Sequence, residues 1–108
     1  MAFQLGSALL EACVLAIVHR EDTYGYKLTQ EVKQIMDVSE STLYPVLRRL
    51  QKDGFLETYD QPYQGRNRRY YRITAAGRTQ FNEFWKQWNG FRDKIDEVMN
   101  GGSGYEQR

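Results

Sequence analysis

Residues 39–54, SESTLYPVLRRLQKDG, run directly into residues 55–73, FLETYDQPYQGRNRRYYRI, and the hydrophobic period changes at the junction. In the first stretch Leu43, Val46, Leu47 and Leu50 recur at helical spacing and form one apolar stripe. Ser39 stands where an N-cap oxygen is wanted, and Gly54 where a left-handed residue ends a helix. The spacing predicts a helix that starts at Ser39 and reaches Lys52 or Asp53. The second stretch is rich in aromatic and β-branched residues and predicts two short strands, Phe55–Asp60 and Arg68–Ile73. Between them Gln61-Pro62-Tyr63-Gln64-Gly65-Arg66-Asn67 has turn chemistry and no apolar period. The segment reads as a helix that hands the chain to a hairpin with a basic tip.

Outward from this segment, Leu9, Leu10, Cys13, Val14, Ile17 and Val18 form a buried stripe on a first helix, from about Ser7 to Arg20. Glu21-Asp22-Thr23 interrupts the pattern. Thr23 is a candidate cap for a second helix, from about Tyr24 to Met36, with Leu28, Val32 and Ile35 facing inward. Gly25 at its start permits close approach of another backbone. On the other side Thr74 caps a long last helix that reaches about Asn100, and Gly101-Gly102-Ser103-Gly104 ends it. Helix, helix, helix, strand, strand, helix is the order of a winged helix-turn-helix. The predicted fold is mainly α within the α+β class. Residues 1–73 form the winged helix-turn-helix, residues 74–100 a long C-terminal dimerisation helix, and residues 101–108 a flexible tail.

A chain of 108 residues fits a single domain. Cys13 is its one cysteine, which excludes an intrachain disulfide and suits a reducing compartment. The N-terminal apolar stretch has no basic lead and is broken by Ser7 and Glu11. It reads as a core helix rather than a signal peptide or membrane span, so the expected location is cytoplasmic, with no membrane partner. Cys13 and His19 do not share a helix face, and no other histidine or cysteine is available. No catalytic residue, metal or cofactor is expected. The glycines at 101–104 do not lie between a strand and a helix and make no phosphate-binding loop.

The formal net charge is +1, but it is unevenly spread: residues 39–78 hold eight basic side chains against four acidic ones, and both flanking regions are net negative. A localised polyanion site has this distribution, and so does a solvated charged surface. On the third helix Ser41, Pro45, Arg48 and Lys52 lie opposite the apolar stripe, with Thr42 and Arg49 flanking and Tyr44 lateral. Hydroxyls near a helix N-terminus reach phosphates or base edges, and arginine pairs bidentately with guanine. The polar outside of any surface helix looks similar. An interior proline removes a backbone hydrogen bond, so Pro45 breaks a local rule, as functional segments often do. The tip Gln64-Gly65-Arg66-Asn67-Arg68-Arg69 concentrates arginine, which suits phosphates or a narrow minor groove. The alternative is a solubilising loop that discourages edge pairing. In the return strand, alternation puts Tyr71 and Ile73 on one face and Tyr70 and Arg72 on the other.

Three ordered segments resemble signatures of the PadR-like transcriptional regulators. They are Tyr24-Gly25-Tyr26-Lys27-Leu28, then Ser41 to Leu50 with Asp53-Gly54, then Gly65 to Thr74 with Gly77. The resemblance spans roughly residues 9–100. It implies a bacterial dimeric repressor, often of detoxification or efflux genes, acting on double-stranded DNA at a palindromic operator. DNA contacts carried over by it are Ser41, Thr42, Tyr44, Arg48, Arg66 and Arg68. Asn67 stands where many relatives have proline, which leaves the path of the tip open. A C-terminal region made of a single helix resembles the compact branch of the family, which includes multidrug sensors.

In the last helix Phe81, Phe84, Trp88, Phe91, Ile95 and Val98 follow a 3,4 spacing, with Trp85 beside them. The first three helices and the hairpin already supply a core, so this second stripe calls for a partner chain. A homodimer also duplicates the reading helix over a two-fold DNA site. The resemblance further implies a slot for a small planar aromatic ligand at the interface, with Trp88 the better positional match than Trp85. Phe84, Phe91 and Ile95 complete the candidate ligand or dimer residues, and plain interface packing is the alternative. A competing reading of the whole chain is a winged-helix adaptor that binds protein without specific DNA binding.

Overall fold

The computed structural model describes residues 6–101. Their element order is α1 (Ser7–Arg20), β1 (Thr23–Tyr24), α2 (Gly25–Ile35), α3 (Glu40–Lys52), β2 (Leu56–Tyr63), β3 (Arg66–Ile73) and α4 (Ala75–Met99). The class is α+β, with a three-stranded antiparallel sheet in the order β1-β3-β2.

The core is a three-helix cluster closed by the base of the sheet. α1 contributes Leu10, Val14, Leu15, Ile17 and Val18, α2 contributes Leu28 and Val32, and α3 contributes Leu43, Val46, Leu47 and Leu50. Leu56 and Ile73 seal it from the sheet. Each fully buried aliphatic side chain stabilises the fold by about 1.5–3 kcal/mol. α3 starts and stops as its sequence predicts. The Thr42 amide donates to Ser39 Oγ at 3.3 Å, and Gly54 takes a φ of +82° just beyond the helix.

Four expectations are corrected by tertiary contacts. Leu9 and Cys13 leave the buried stripe of α1; they are half-buried on the flank that faces α4. Ile35 is 61% exposed, because α2 ends there and its last side chain faces a groove rather than the core. Thr23 does not cap α2. It is a strand residue paired with Tyr71, and Tyr24, paired with Tyr70, leads into the helix without a side-chain cap. Gly25 admits no backbone: a Cβ there would meet only the Tyr44 ring, at an ordinary 3.9 Å. The tight glycine is Gly77, whose added Cβ would lie 2.2 Å from the Phe55 carbonyl oxygen.

The hairpin is longer than predicted. Gln61, Pro62 and Tyr63 continue β2, and Arg66 and Asn67 open β3, so pairing runs from Leu56–Ile73 to Tyr63–Arg66. Only Gln64 and Gly65 form the turn, with φ of 52° and 80°. Two successive positive φ values are the signature of a type I′ turn, whose twist matches the strands it joins. Pro62 is tolerated because β2 is an edge strand. Strand alternation sorts the side chains. Leu56, Thr58, Tyr71 and Ile73 face the core side, while Tyr59, Tyr63, Arg66, Arg68, Tyr70 and Arg72 share the outer face.

α4 is anchored at its start. Thr74 donates its hydroxyl to the Gly54 carbonyl at 2.6 Å and accepts from the Gly77 amide at 3.0 Å. Gly77 is the one buried residue of the helix. Beyond its first half α4 projects as an arm, about 37 Å long in all. The radius of gyration is accordingly 17.0 Å, against about 13 Å for a compact chain of this size. No helix among the described residues is long and apolar enough to cross a membrane. The tail expected at residues 101–108 lies outside the described residues except for Gly101, which ends α4 with a φ of +85°.

Candidate nucleic-acid interface

The outer face of α3 presents a hydroxyl cluster followed by a cation. Ser39 Oγ lies 2.9 Å from Ser41 Oγ and 3.1 Å from Thr42 Oγ1, so the capping residue also gathers the two hydroxyls expected to meet DNA. Ser41, Thr42, Tyr44 and Arg48 are all exposed. Pro45 lies between them within the helix and lacks the N–H that would bond the Ser41 carbonyl in a regular α-helix. Tyr44 leans over the start of α2 at Gly25.

Ion pairing removes some of the positive charge read from the sequence. Arg49 is bonded to Glu11 of α1, with its Nε donating at 3.0 Å. Arg69 lies 3.7 Å from Asp60, and Arg72 lies 2.7 Å from Glu57. Arg48, Lys52, Arg66 and Arg78 make no ion pair among the described residues. Arg48 and Arg66 thus keep their charge available where the sequence places DNA contacts. Arg68 is held differently. Its guanidinium carbon lies 3.9 Å from the Tyr24 ring centroid and 3.3 Å from that of Tyr63, and its NH1 donates to the Tyr70 hydroxyl at 3.5 Å.

Between wing and helices lies an open groove of about 670 Å³, whose lining includes Tyr24, Tyr26, Tyr44 and Tyr71 together with Arg66 and Arg69. Burial pushes the Tyr71 hydroxyl above its ordinary pKa, and the positive charges of Arg69 and Arg48 oppose the shift. Tyr71, on β3, is therefore a neutral phenol within the influence of Arg48 of α3 and Arg69 of the wing. The groove is wide, hydroxyl-rich and cationic, the chemistry of a phosphodiester track.

Comparison with known proteins agrees with this geometry. Residues 14–83 match the family described as the transcriptional regulator PadR-like family. The chain belongs to the PadR-like family.

Transcriptional regulator Rv3488 of Mycobacterium tuberculosis is 42% identical over 93 residues, covering 82% of this chain and 84% of that one. The crystal structure of smu.1704 from Streptococcus mutans UA159 superposes with a TM-score of 0.88 at 40% identity, covering 94% of this chain and 96% of the other. Bacillus subtilis PadR, solved in complex with operator DNA, has a TM-score of 0.65 at 20% identity. It covers 74% of this chain and 48% of its own, and at that distance it shares the fold.

In this PadR-like chain a second region lies away from the groove just described. α1 and α4 cross to leave an apolar trough of about 540 Å³, walled by Leu9, Cys13 and Ile17 on one side and by Phe84, Trp85 and Trp88 on the other. Phe84 and Trp88 stack at 6.3 Å, and Phe81 and Trp85 at 6.5 Å. Phe91 and Ile95, grouped with these residues on the sequence, do not line the trough; they lie farther along α4, 54% and 38% exposed. The structure thus divides the predicted cluster into a trough and an open seam. Burial also pushes the Cys13 thiol above its ordinary pKa, leaving it a neutral wall residue.

The tyrosines around Arg68 are not evident from the sequence, where Tyr24 reads as helix and Tyr63 as loop. The available signal is strand alternation: extended through Tyr63, it sets that ring on the same face as Arg66 and Arg68.

Proposed function

We propose that the chain is a sequence-specific transcriptional repressor that binds a palindromic operator as a homodimer in the cytoplasm. The observation that carries this reading is the outer face of α3. Exposed Ser41, Thr42, Tyr44 and Arg48 stand there beside a wing whose Arg66 has no ion-pair partner among the described residues. The start of α3 enters the major groove, where Arg48 reads a base edge and the hydroxyls fix the register on phosphates. Arg66 follows the flanking backbone, and Arg68 serves the same surface in the way developed below.

Residues 1–73 are the reading unit and residues 74–100 the dimerisation helix. Support for the dimer comes from the seam on α4. Phe91, Ile95 and Val98 leave a continuous apolar stripe in water in a single chain, and such a stripe marks an association surface. A two-fold dimer then presents two copies of α3 about one DNA turn, roughly 34 Å, apart.

Fluorescence anisotropy with the duplex upstream of the protein's own gene, against a scrambled duplex, tests the reading. Preference for the native fragment that survives physiological salt supports it, with Arg48→Ala and Arg66→Ala each weakening binding. Equal binding to both duplexes that vanishes with salt refutes sequence specificity. Absence of binding, with a stable protein complex instead, favours the adaptor reading.

A further reading is release by a small planar aromatic ligand, favoured by the trough beside Trp85 and Trp88. Its volume falls within the usual range for small-molecule sites, about 300–1,000 Å³. A planar dye should quench tryptophan fluorescence in the protein and should do so less in Trp88→Ala. Equal quenching in both places the ligand elsewhere.

A further inference from the structure

The distal wing reaches past its support. β1 pairs with β3 only at Tyr70 and Tyr71, so residues 60–63 and 66–69 form a two-stranded ribbon with no third strand beside them. Arg66 rides at the end of this ribbon, four residues beyond Tyr70, or about 14 Å along the strand. Isolated two-stranded ribbons are marginal in water. The bond from Arg69 to Asp60 stays within the hairpin and does not tie it to the body.

Arg68 is the side chain that crosses the gap. Its guanidinium lies between Tyr63, on the overhanging strand, and Tyr24, the last residue of β1 and the residue that leads into α2. Tyr24 is itself held edge-on to Tyr70 at 5.6 Å, and Tyr70 stacks on Tyr59 at 5.6 Å. Tyr59 donates its hydroxyl to Asp22 at 2.6 Å, in the segment between α1 and β1. A continuous ladder thus runs from the wing tip to the junction that carries α2. Among the side-chain hydrogen bonds, ion pairs and cation–π contacts of the described residues, those that link the overhang to the body both come from Arg68: its guanidinium on the Tyr24 ring and its NH1 donating to the Tyr70 hydroxyl.

We propose that Arg68 is a positioning residue, clamped between Tyr24 and Tyr63, that sets the angle of the wing so that Arg66 and α3 meet the DNA together. The proposal rests on the DNA-binding reading above, but its first test needs no DNA. In the free protein the amide order of Gln64 and Gly65, read by the heteronuclear NOE, is expected to fall in Arg68→Gln and Tyr24→Leu. It is expected to hold in Tyr24→Phe, which keeps the ring, and in Arg66→Gln, which removes only the tip charge.

With the duplex upstream of the protein's own gene, Arg68→Gln and Tyr24→Leu each weaken binding about three- to tenfold, the worth of a partly desolvated cation–π contact. The slope of log affinity against log salt stays at the wild-type value in both. Arg66→Gln instead lowers that slope by about 0.9 per chain, as loss of one phosphate contact does. Tyr24→Leu is decisive, because it loosens the clamp without removing a charge. The proposal is overturned if Arg68→Gln leaves the tip as ordered as wild type, or if it reduces the salt slope as much as Arg66→Gln. If wild type binds no DNA, the functional reading fails and the amide-order result alone decides the clamp.

Discussion

Gly77→Ala should be the most damaging single methyl added to this protein. The new Cβ would stand 2.2 Å from the Phe55 carbonyl oxygen and 2.7 Å from Ile73 Cγ1, whereas real Cβ contacts essentially never come under 3.0 Å. The first obstacle is backbone, so it does not rotate away, and the start of α4 must lift by about 0.8 Å. Overpacking of this kind costs about 1–3 kcal/mol. The same lift strains the Thr74 hydroxyl bond to Gly54 at 2.6 Å and the Thr74 amide bond to Phe55 at 3.1 Å, each worth about 0.5–1.5 kcal/mol. Alanine in place of glycine returns about 0.5–1 kcal/mol of helix propensity. The net loss is about 2–4 kcal/mol, or a fall of roughly 10–25 °C in melting temperature for a domain of this size.

Gly90→Ala is the internal control. No heavy atom lies within 4 Å of its notional Cβ, and the position faces away from the apolar seam. The same chemical change in the same helix should therefore stabilise, by about 0.5–1 kcal/mol. Thermal unfolding followed by far-ultraviolet circular dichroism, at one fixed protein concentration, compares the two. A Gly77→Ala protein that melts at or above the wild-type temperature would refute the close packing of α4 on the base of the sheet.

Ile95→Glu places a charge in the exposed seam of α4 and should weaken the dimer at least a hundredfold or so; sedimentation velocity shows monomer if the seam is the interface and unchanged dimer if it is not. The hydrogen bond from Tyr59 to Asp22, followed by burial and by the Asp22 charge, raises the Tyr59 phenol above its ordinary pKa. A raised folded-state pKa adds stability that is complete below the unfolded value of about 10 and is lost as pH rises through the folded one. Wild type should thus lose more stability than Tyr59→Phe on passing above that pH, and parallel denaturation curves would count against the bond. Cys13, held as the neutral thiol, should react with a thiol reagent at neutral pH more slowly than free cysteine and accelerate only at more alkaline pH; a rapid reaction would contradict its place in the trough wall.

The features legible in the sequence are those set by neighbours along the chain. The bounds of α1, the Ser39 cap, the stripe of α3 and the stop at Gly54 follow from spacing and from residues that satisfy helix ends locally. Exposure of Ser41, Thr42, Tyr44 and Arg48 follows from the same periodicity. Errors arise where a local signal meets a remote partner. Thr23 has the chemistry of a cap, but Tyr71, far along the chain, claims its backbone for a sheet. Pro62 signals a turn, yet an edge strand can spare the missing N–H. Ile35 keeps the phase of Leu28 and Val32, but phase does not say where the core ends.

By itself, then, the sequence determined the order of the four helices and the hairpin, most of the helical core, the concentration of basic residues in the middle third and the family signatures, but not strand β1. Helical and strand periods, caps and turns act over a few residues and leave their record in the order of the chain. Only the tertiary structure decided which arginines stay free, because Arg49 is taken by Glu11 of α1 and Arg68 by Tyr24 of β1. It also decided that Gly77 rather than Gly25 is the close approach, and that Trp85 and Trp88 line a trough while Phe91 and Ile95 lie outside it. Each of these depends on the distance between groups far apart in sequence, and that distance is fixed by the packing of helices and sheet, not by the spacing of letters.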